Sequence, residues 1–188
     1  FTPDQIVRGE YTPEQLLSPT GMPMINVDVR VSESGQIVKL ATPVDEAIKD
    51  ANIIESGVDK NRVGIIWGSG IGGLETFQIE ATNYAEGDGT PRYNPFFIPK
   101  MIPDIAPGVI SIRHGFKGPN FATVSACASS ANALIDALNY IRLGYSDVII
   151  SGGSEAGIIK SGIGGFNAVQ ALSKRNDDPK TASRPFDL

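Results

Sequence analysis

The chain has 188 residues, enough for one ordinary domain with a buried core. With 41% hydrophobic and 20% charged residues it has the composition of a globular protein, and its longest apolar runs are too short to span a membrane. A net charge of −5 argues against nucleic acid as a partner, because backbone phosphates require a basic surface. The single cysteine excludes an internal disulfide and suits a reducing compartment.

The first 42 residues are rich in proline and carry no recognisable chemistry. Residues 24–31 and 36–40 alternate apolar and polar side chains on either side of a turn, which predicts a β-hairpin. Residues 1–17 lack the basic and then apolar pattern of a signal peptide, so we expect a cytoplasmic protein. We leave residues 1–42 unassigned and place the recognisable domain at residues 43–188.

The next segment alternates helix and strand signals. Residues 43–52 have the periodicity of an amphipathic helix, and residues 62–67 form a continuous apolar strand of the kind buried in parallel sheets. The glycine-rich residues 68–73 follow, and then a helix over residues 74–85. Their spacing is neither a dinucleotide fingerprint nor a P-loop. We interpret these glycines as allowing a sharp turn and close packing.

A proline-rich region precedes the second strand. Residues 94–99 place two phenylalanines between prolines, which is typical of a core plug or of a pocket wall. Residues 100–114 are partly helical and end before Gly115. His114 is the only histidine and is therefore a candidate general base. Its place at a helix end favours a capping role instead.

The stretch around Cys127 carries the strongest chemical signal. A β-prone run over residues 121–124 leads through a short turn into a helix, with Cys127 on the turn. Unpaired N–H groups and the helix dipole favour the thiolate at such a place, and the same groups could hold an oxyanion. The alternative is a buried structural cysteine. The apolar face of the helix is predicted to contain Leu134, Ile135, Leu138 and Ile141.

Further elements complete the alternation. Residues 147–150 predict another buried strand, residues 162–172 a helix, and residues 173–182 a polar loop. Strands that alternate with helices indicate an α/β fold, with a mostly parallel sheet and helices on both faces.

Six motifs in sequence order resemble the N-terminal half of β-ketoacyl-[acyl-carrier-protein] synthases. The resemblance begins near residue 43 and is greatest to the type II condensing enzymes of bacterial fatty-acid synthesis. The motifs are residues 62–74, 94–99, 117–120, 124–129, 150–155, and 172–179 together with 182–187.

This resemblance implies a fold and a reaction. The fold is a thiolase-like half, part of a layered α-β-α-β-α arrangement, in a protein that works as a homodimer. The reaction is a decarboxylative Claisen condensation in fatty-acid elongation. The cysteine takes an acyl chain from acyl carrier protein, and malonyl-loaded carrier protein then loses CO₂ and attacks the thioester. The resemblance implies neither a cofactor nor a metal, and no membrane partner.

Site residues follow from the same motif matches. Cys127 is the implied nucleophile. The acyl pocket is implied to include Ile71, Phe97 and Phe166. Arg92 matches a basic position for docking the acidic carrier protein, whereas Gln170 stands where a second arginine is expected.

The chain also departs from the family pattern. The family's two catalytic histidines and its lysine belong to the C-terminal half, and His114 matches none of them. We therefore expect an incomplete fragment that does not decarboxylate malonyl groups. Two other interpretations stay open: a polyketide ketosynthase, and a catalytically inactive interaction module with exposed sheet and dimer surfaces.

Overall fold

The computed structural model describes residues 30–31, 37–39 and 42–184. Those up to Ala156 belong to one unit and those from Gly157 onward to another, and each unit is described by itself. The first unit contains, in chain order, β1 (Arg30–Val31), β2 (Ile37–Lys39), α1 (Thr42–Asp50), β3 (Val63–Gly68), α2 (Leu74–Glu86), α3 (Phe97–Met101), α4 (Ile105–His114), β4 (Asn120–Thr123), α5 (Ser129–Arg142) and β5 (Val148–Gly153). The second contains α6 (Lys160–Ala168).

A three-stranded parallel sheet forms the centre of the first unit. Its strand order is β4-β3-β5, so the apolar strand β3 is flanked on both sides and all six of its residues are buried. The register places Gly68 opposite Thr123 on one neighbour and opposite Gly153 on the other. The loops that follow all three strands therefore leave the same edge of the sheet, where parallel α/β sheets carry their ligand sites.

Helices cover both faces of this sheet. Val63, Ile65 and Trp67 of β3 pack on one side in a cluster with residues of α1 and α4. Ile66 points to the opposite side and packs against Ala133 and Ala137 of α5. Alternate β3 side chains thus serve two cores, as the period of a strand requires. The predicted α/β class, with a parallel sheet and helices on both faces, is confirmed.

The helix α5 buries a different face from the one that its apolar periodicity suggests. The buried residues are Ser129, Ala133 and Ala137, whereas the large residues of the predicted apolar face are exposed. The helix packs so close to the sheet that only small side chains fit between them, and this explains which face is buried. The exposed set is Leu134, Ile135, Leu138 and Ile141.

Other predicted elements have different boundaries in the structure. The helical stretch over residues 100–114 is two helices, α3 and α4, because Ile102 precedes a proline and is extended. The helix predicted over residues 162–172 runs from Lys160 to Ala168 and ends where Gln170 adopts φ +56°. Of the predicted hairpin, only Arg30–Val31 and Ile37–Lys39 lie within the described residues, and they pair antiparallel. No helix in the described ranges is long and apolar enough to cross a bilayer.

Candidate active site

Cys127 lies on a tight turn between β4 and α5. The strand ends at Thr123, a 3-10 turn spans Ala126–Ala128, and α5 begins at Ser129. Ala126 has φ +50°, a left-handed conformation that is unfavourable for alanine and turns the chain sharply. The thiol of Cys127 is free and exposed. The turn therefore presents the sulfur to solvent at the N-terminal end of a 14-residue helix.

Ser129 holds this turn together from inside. Its side chain is 3% exposed, and its Oγ accepts a hydrogen bond from the N–H of Ser125 (2.9 Å) and donates one to the carbonyl of Ala126 (2.7 Å). Asn132 Nδ2 donates to Ser125 Oγ at 2.6 Å. Thr123 Oγ1 donates to the carbonyl of Ser129 at 2.8 Å. These bonds fix the backbone on both sides of the cysteine, so the left-handed residue is held in place.

Replacing Ser129 with alanine is expected to destabilise the protein by about 1 kcal/mol, because the N–H of Ser125 and the carbonyl of Ala126 both lose their bond to the buried Ser129 hydroxyl. Urea unfolding of both proteins measures this difference. Ser130→Ala is the control, since the neighbouring side chain is exposed. Equal midpoints for Ser129→Ala and wild type would show that the serine does not support the turn.

Two glycines let α5 approach the sheet closely. A Cβ at Gly68 would lie 2.5 Å from Ser129 C and from Ser130 N, and one at Gly153 would overlap Ser130 Oγ. Both contacts are shorter than real Cβ atoms make: a side chain at Gly68 would displace the backbone of α5, and one at Gly153 would displace the side chain of Ser130. The glycines thus set where the N-terminus of α5, and with it Cys127, lies.

The glycine loop over residues 69–73 lies beside the cysteine turn. A Cβ on Gly70 would be 3.3 Å from the carbonyl oxygen of Ala126, the residue before Cys127. The loop therefore brings Ile71, one of the predicted pocket residues, next to the turn that carries the predicted nucleophile. The side chain of Ile71 is 46% exposed in this chain.

Sequence reasoning missed Glu155, although it lies in one of the quoted motifs. Its carboxylate accepts hydrogen bonds from the N–H groups of Ile71 (Oε2, 2.6 Å) and Gly72 (Oε1, 3.0 Å). The available signal was its position just after β5, since side chains that follow parallel strands converge at one edge. The partner, 84 residues earlier, could not be read from a local pattern.

Phe97 lies on the other side of the glycine loop. Gly73 donates its N–H to the carbonyl of Met101 at 2.9 Å, which joins the loop to α3. The ring of Phe97 stacks on Tyr93 and Phe77, at centroid distances of 5.3 and 6.4 Å. A surface cavity of about 200 Å³ lies beside it, lined by Thr76, Ile79, Glu80, Asn94, Phe97 and Lys100. Neither Ile71 nor Cys127 is among these lining residues, so the cavity and the thiol are separate features of the described unit.

Comparison with known proteins identifies the family. The description "Beta-ketoacyl synthase, N-terminal domain" belongs to a family model that matches residues 33–188. The chain belongs to the β-ketoacyl synthase family.

Relatives and solved structures agree with this membership. A 3-oxoacyl-[acyl-carrier-protein] synthase 2 from Staphylococcus aureus is 48% identical over 141 residues, which are 75% of this chain and 34% of that protein. A β-ketoacyl synthase structure from Burkholderia phymatum superposes with a TM-score of 0.65 at 28% identity, covering 77% of this chain and 35% of the other. A ketosynthase solved with its type II polyketide acyl-carrier protein gives a TM-score of 0.62 at 22% identity, covering 70% and 38% of the two chains.

These comparisons confirm the predicted membership and the thiolase-like half fold. The chain spans about a third of the length of the curated relative that it matches. The family match begins at residue 33, before the boundary predicted near residue 43.

The remaining predicted residues of this β-ketoacyl synthase chain lie elsewhere. Arg92 is on the loop between α2 and α3, with its side chain 75% exposed and its Nη2 3.1 Å from Asp88 Oδ2. Hydrogen bonds from Thr90 and from Arg92 lower the pKa of Asp88, so this ion pair is present at neutral pH. Phe166 is on α6 in the second unit, where it is exposed.

His114 is not near the cysteine turn. It ends α4 and therefore precedes β4, whereas Cys127 follows β4, so the two lie at opposite ends of that strand. Gly115 caps the helix with φ +71°. The imidazole stacks on Phe116, and its Nε2 lies 3.2 Å from Asp45 Oδ1. Neither of these two atoms has a hydrogen-bond partner within the described residues.

The position of His114 predicts a pH dependence of folding. Burial lowers its pKa below 6.5; Arg113 and Lys60 lower it further, and Asp45 opposes them. The unfolded chain therefore takes up the proton more readily, and stability is expected to fall as the pH drops below about 6.5. In His114→Gln this contribution disappears. The urea midpoints of wild type and His114→Gln, measured between pH 7.5 and 5, test this contribution. If the midpoint falls with pH equally in both proteins, His114 is not its source.

Proposed function

We propose that this chain carries the acyl-accepting site of a 3-oxoacyl-[acyl-carrier-protein] synthase of fatty-acid elongation, with Cys127 as nucleophile. The observation that carries the proposal is an exposed thiol on a strained turn at the N-terminal end of a long helix. Membership of the β-ketoacyl synthase family supports it. So does the name of a relative that is 48% identical over the matched region.

The first step is a thioester exchange. The Cys127 sulfur, having lost its proton, attacks the acyl carbonyl carbon of acyl-loaded carrier protein. A new C–S bond forms, the bond to the carrier's thiol sulfur breaks, and that sulfur leaves as a thiolate and takes up a proton. Among the described residues, the N–H of Cys127 donates to no partner outside its own turn, and it is our proposed donor to the oxyanion.

We further propose how the acyl chain and its carrier are bound. Ile71 and Phe97 line the acyl pocket, and Arg92 contributes to docking of the acidic carrier protein. Phe166 belongs to the second unit and stays a predicted pocket residue on its motif match alone. The contact between the Ile71 loop and the cysteine turn supports the assignment of Ile71. The high exposure of Arg92 supports the second, although its partner Asp88 offsets part of its charge.

The assembly and location are proposals of the same kind. We propose that the full-length protein is a cytoplasmic homodimer that binds acyl- and malonyl-loaded carrier protein. Large apolar side chains left exposed on α2 and α5 support burial of these faces in a larger assembly. The assignment of residues 1–42 as separate from the domain at 43–188 stays a prediction.

Fatty-acyl substrates are preferred over polyketide intermediates. The relative at 48% identity is named 3-oxoacyl-[acyl-carrier-protein] synthase 2, whereas the polyketide neighbour at 22% identity establishes the fold alone. An inactive interaction module would keep the fold and would leave the thiol unacylated.

Incubation of the chain with dodecanoyl-loaded carrier protein tests the proposal. We expect the intact mass to rise by one dodecanoyl group. We expect no release of CO₂ from malonyl-loaded carrier protein, because the one histidine of the chain lies at the far end of β4 from Cys127. Absence of acylation would contradict Cys127 as the nucleophile. Release of CO₂ would contradict the proposal that this chain performs acyl transfer without decarboxylation.

A further inference from the structure

Glu155 joins the end of β5 to the glycine loop. The chain leaves β5 at Gly153, and the N–H of Ser154 donates to the carbonyl of Gly68 at 2.9 Å. Trp67 Nε1 donates to Ser154 Oγ, also at 2.9 Å, so the backbone before the glutamate is anchored to β3. The carboxylate then reaches across to two successive N–H groups, those of Ile71 and Gly72.

Two successive N–H groups that converge on a carboxylate form an anion-binding nest, and such charge-assisted bonds are stronger than neutral ones. The loop needs this anchor because it is built largely from glycines, which have no side chains to pack. Gly72 has φ +89°, a conformation that an unrestrained loop shares with many others. Glu155 therefore restrains the middle of the loop, whose end is joined to α3 by the Gly73 N–H.

The same carboxylate lies close to the nucleophile turn. A Cβ at Gly70 would be 3.0 Å from Glu155 Oε2 and 3.3 Å from the carbonyl of Ala126. Gly70 thus fits between the carboxylate and the residue before Cys127. A change in the position of the carboxylate moves the loop relative to the cysteine, and Ile71 moves with it.

We propose that Glu155 is a positioning residue: it fixes Ile71 relative to Cys127 and thereby sets which acyl chains fit beside the thiol. This rests on the proposed function, in which Cys127 receives an acyl chain. Glu155 acts through the loop backbone and does not touch the acyl group.

Alkylation of Cys127 tests the positioning without requiring acyl transfer. N-methyl iodoacetamide and N-octyl iodoacetamide both form a C–S bond with the thiol and release iodide. Under the proposal, only the octyl chain is long enough to pack against Ile71. We compare wild type, Glu155→Gln, Glu155→Asp and the control Glu75→Gln. Glu75 is exposed on α2, directly after the same loop.

In Glu155→Gln, an amide NH₂ replaces one of the two acceptor oxygens. We expect the octyl-to-methyl rate ratio to fall at least about fivefold while the methyl rate stays at the wild-type value. Hydrogen exchange at the amides of Ile71 and Gly72 is expected to accelerate about tenfold. Glu155→Asp keeps the charge and should restore part of the ratio, and Glu75→Gln should match wild type.

Two results would overturn the inference. One is an unchanged octyl-to-methyl ratio in both Glu155 variants. The other is a parallel loss of both rates and of thermal stability, which would assign Glu155 a structural role only. If Glu155→Gln does not fold, the octyl-to-methyl ratio of Glu155→Asp tests the inference instead. If wild type takes no acyl group from carrier protein but its alkylation ratio still depends on Glu155, the proposed function fails and the positioning role stands.

Discussion

Replacing Cys127 with serine is expected to reduce acyl transfer from carrier protein by at least about a thousandfold. A hydroxyl is far less ionised than a thiol at neutral pH, and loss of a covalent nucleophile has effects of this size or larger. The measurement is the initial rate of acyl-chain formation by intact mass, with dodecanoyl-loaded carrier protein as donor.

The exposure of the Cys127 side chain separates the effect of serine on activity from an effect on folding. Because Cys127 is exposed, serine should change the free energy of unfolding by less than about 0.5 kcal/mol. Comparable urea midpoints serve as the folding control. A serine variant that accepts acyl groups at the wild-type rate would place the acylation site on another residue.

The second large effect is expected from Gly68→Ala. Its Cβ would lie 2.5 Å from the backbone of Ser129 and Ser130, so the first turn of α5 has to move away from the sheet. Overpacking against backbone of this kind costs about 3 kcal/mol. A shift of about 1 Å at the nucleophile lowers reactivity in a positioned reaction roughly a hundredfold. Urea unfolding and the acyl-transfer rate measure the two effects.

Gly108→Ala is the matched control. This glycine lies within α4, and beyond the backbone of its own helix and its two chain neighbours no atom lies within 4 Å of the place that its Cβ would occupy. Alanine there should stabilise the helix by about 0.5–1 kcal/mol and leave acyl transfer unchanged. If Gly68→Ala and Gly108→Ala had the same stability and acyl-transfer rate, close packing of α5 on the sheet would not be the reason for the glycine at position 68.

The sequence predicted those parts of the site that local patterns encode. The buried strand β3, the turn with Cys127 and the helix after it each have a periodicity or composition of their own, and the structure contains all three. The parallel order of the strands then requires the glycine loop and the cysteine turn to meet, because both follow strands at the same edge.

Contacts that depend on distant partners were not predictable in this way. The carboxylate of Glu155 meets its two amides only where β5 pairs with β3, and no local pattern shows where a carboxylate points. The buried face of α5 was misread for a related reason. Apolar periodicity selects the large residues, whereas the glycines at positions 68 and 153 bring the helix so close that Ala133 and Ala137 face the sheet.

The position of His114 also could not be inferred from residue type alone. As the only histidine it was an obvious partner for the only cysteine, but chain order places one before β4 and the other after it. A four-residue strand rises about 13 Å, which is too far for direct proton transfer between its two ends.

The most direct test of the central claim is to locate the acyl group after incubation with dodecanoyl-loaded carrier protein. Tandem mass spectrometry of proteolytic fragments is expected to find it on Cys127, and neutral hydroxylamine is expected to release it because the bond is a thioester. An acyl group on a lysine or serine, or an unmodified Cys127 that still reacts with N-methyl iodoacetamide, would contradict the account.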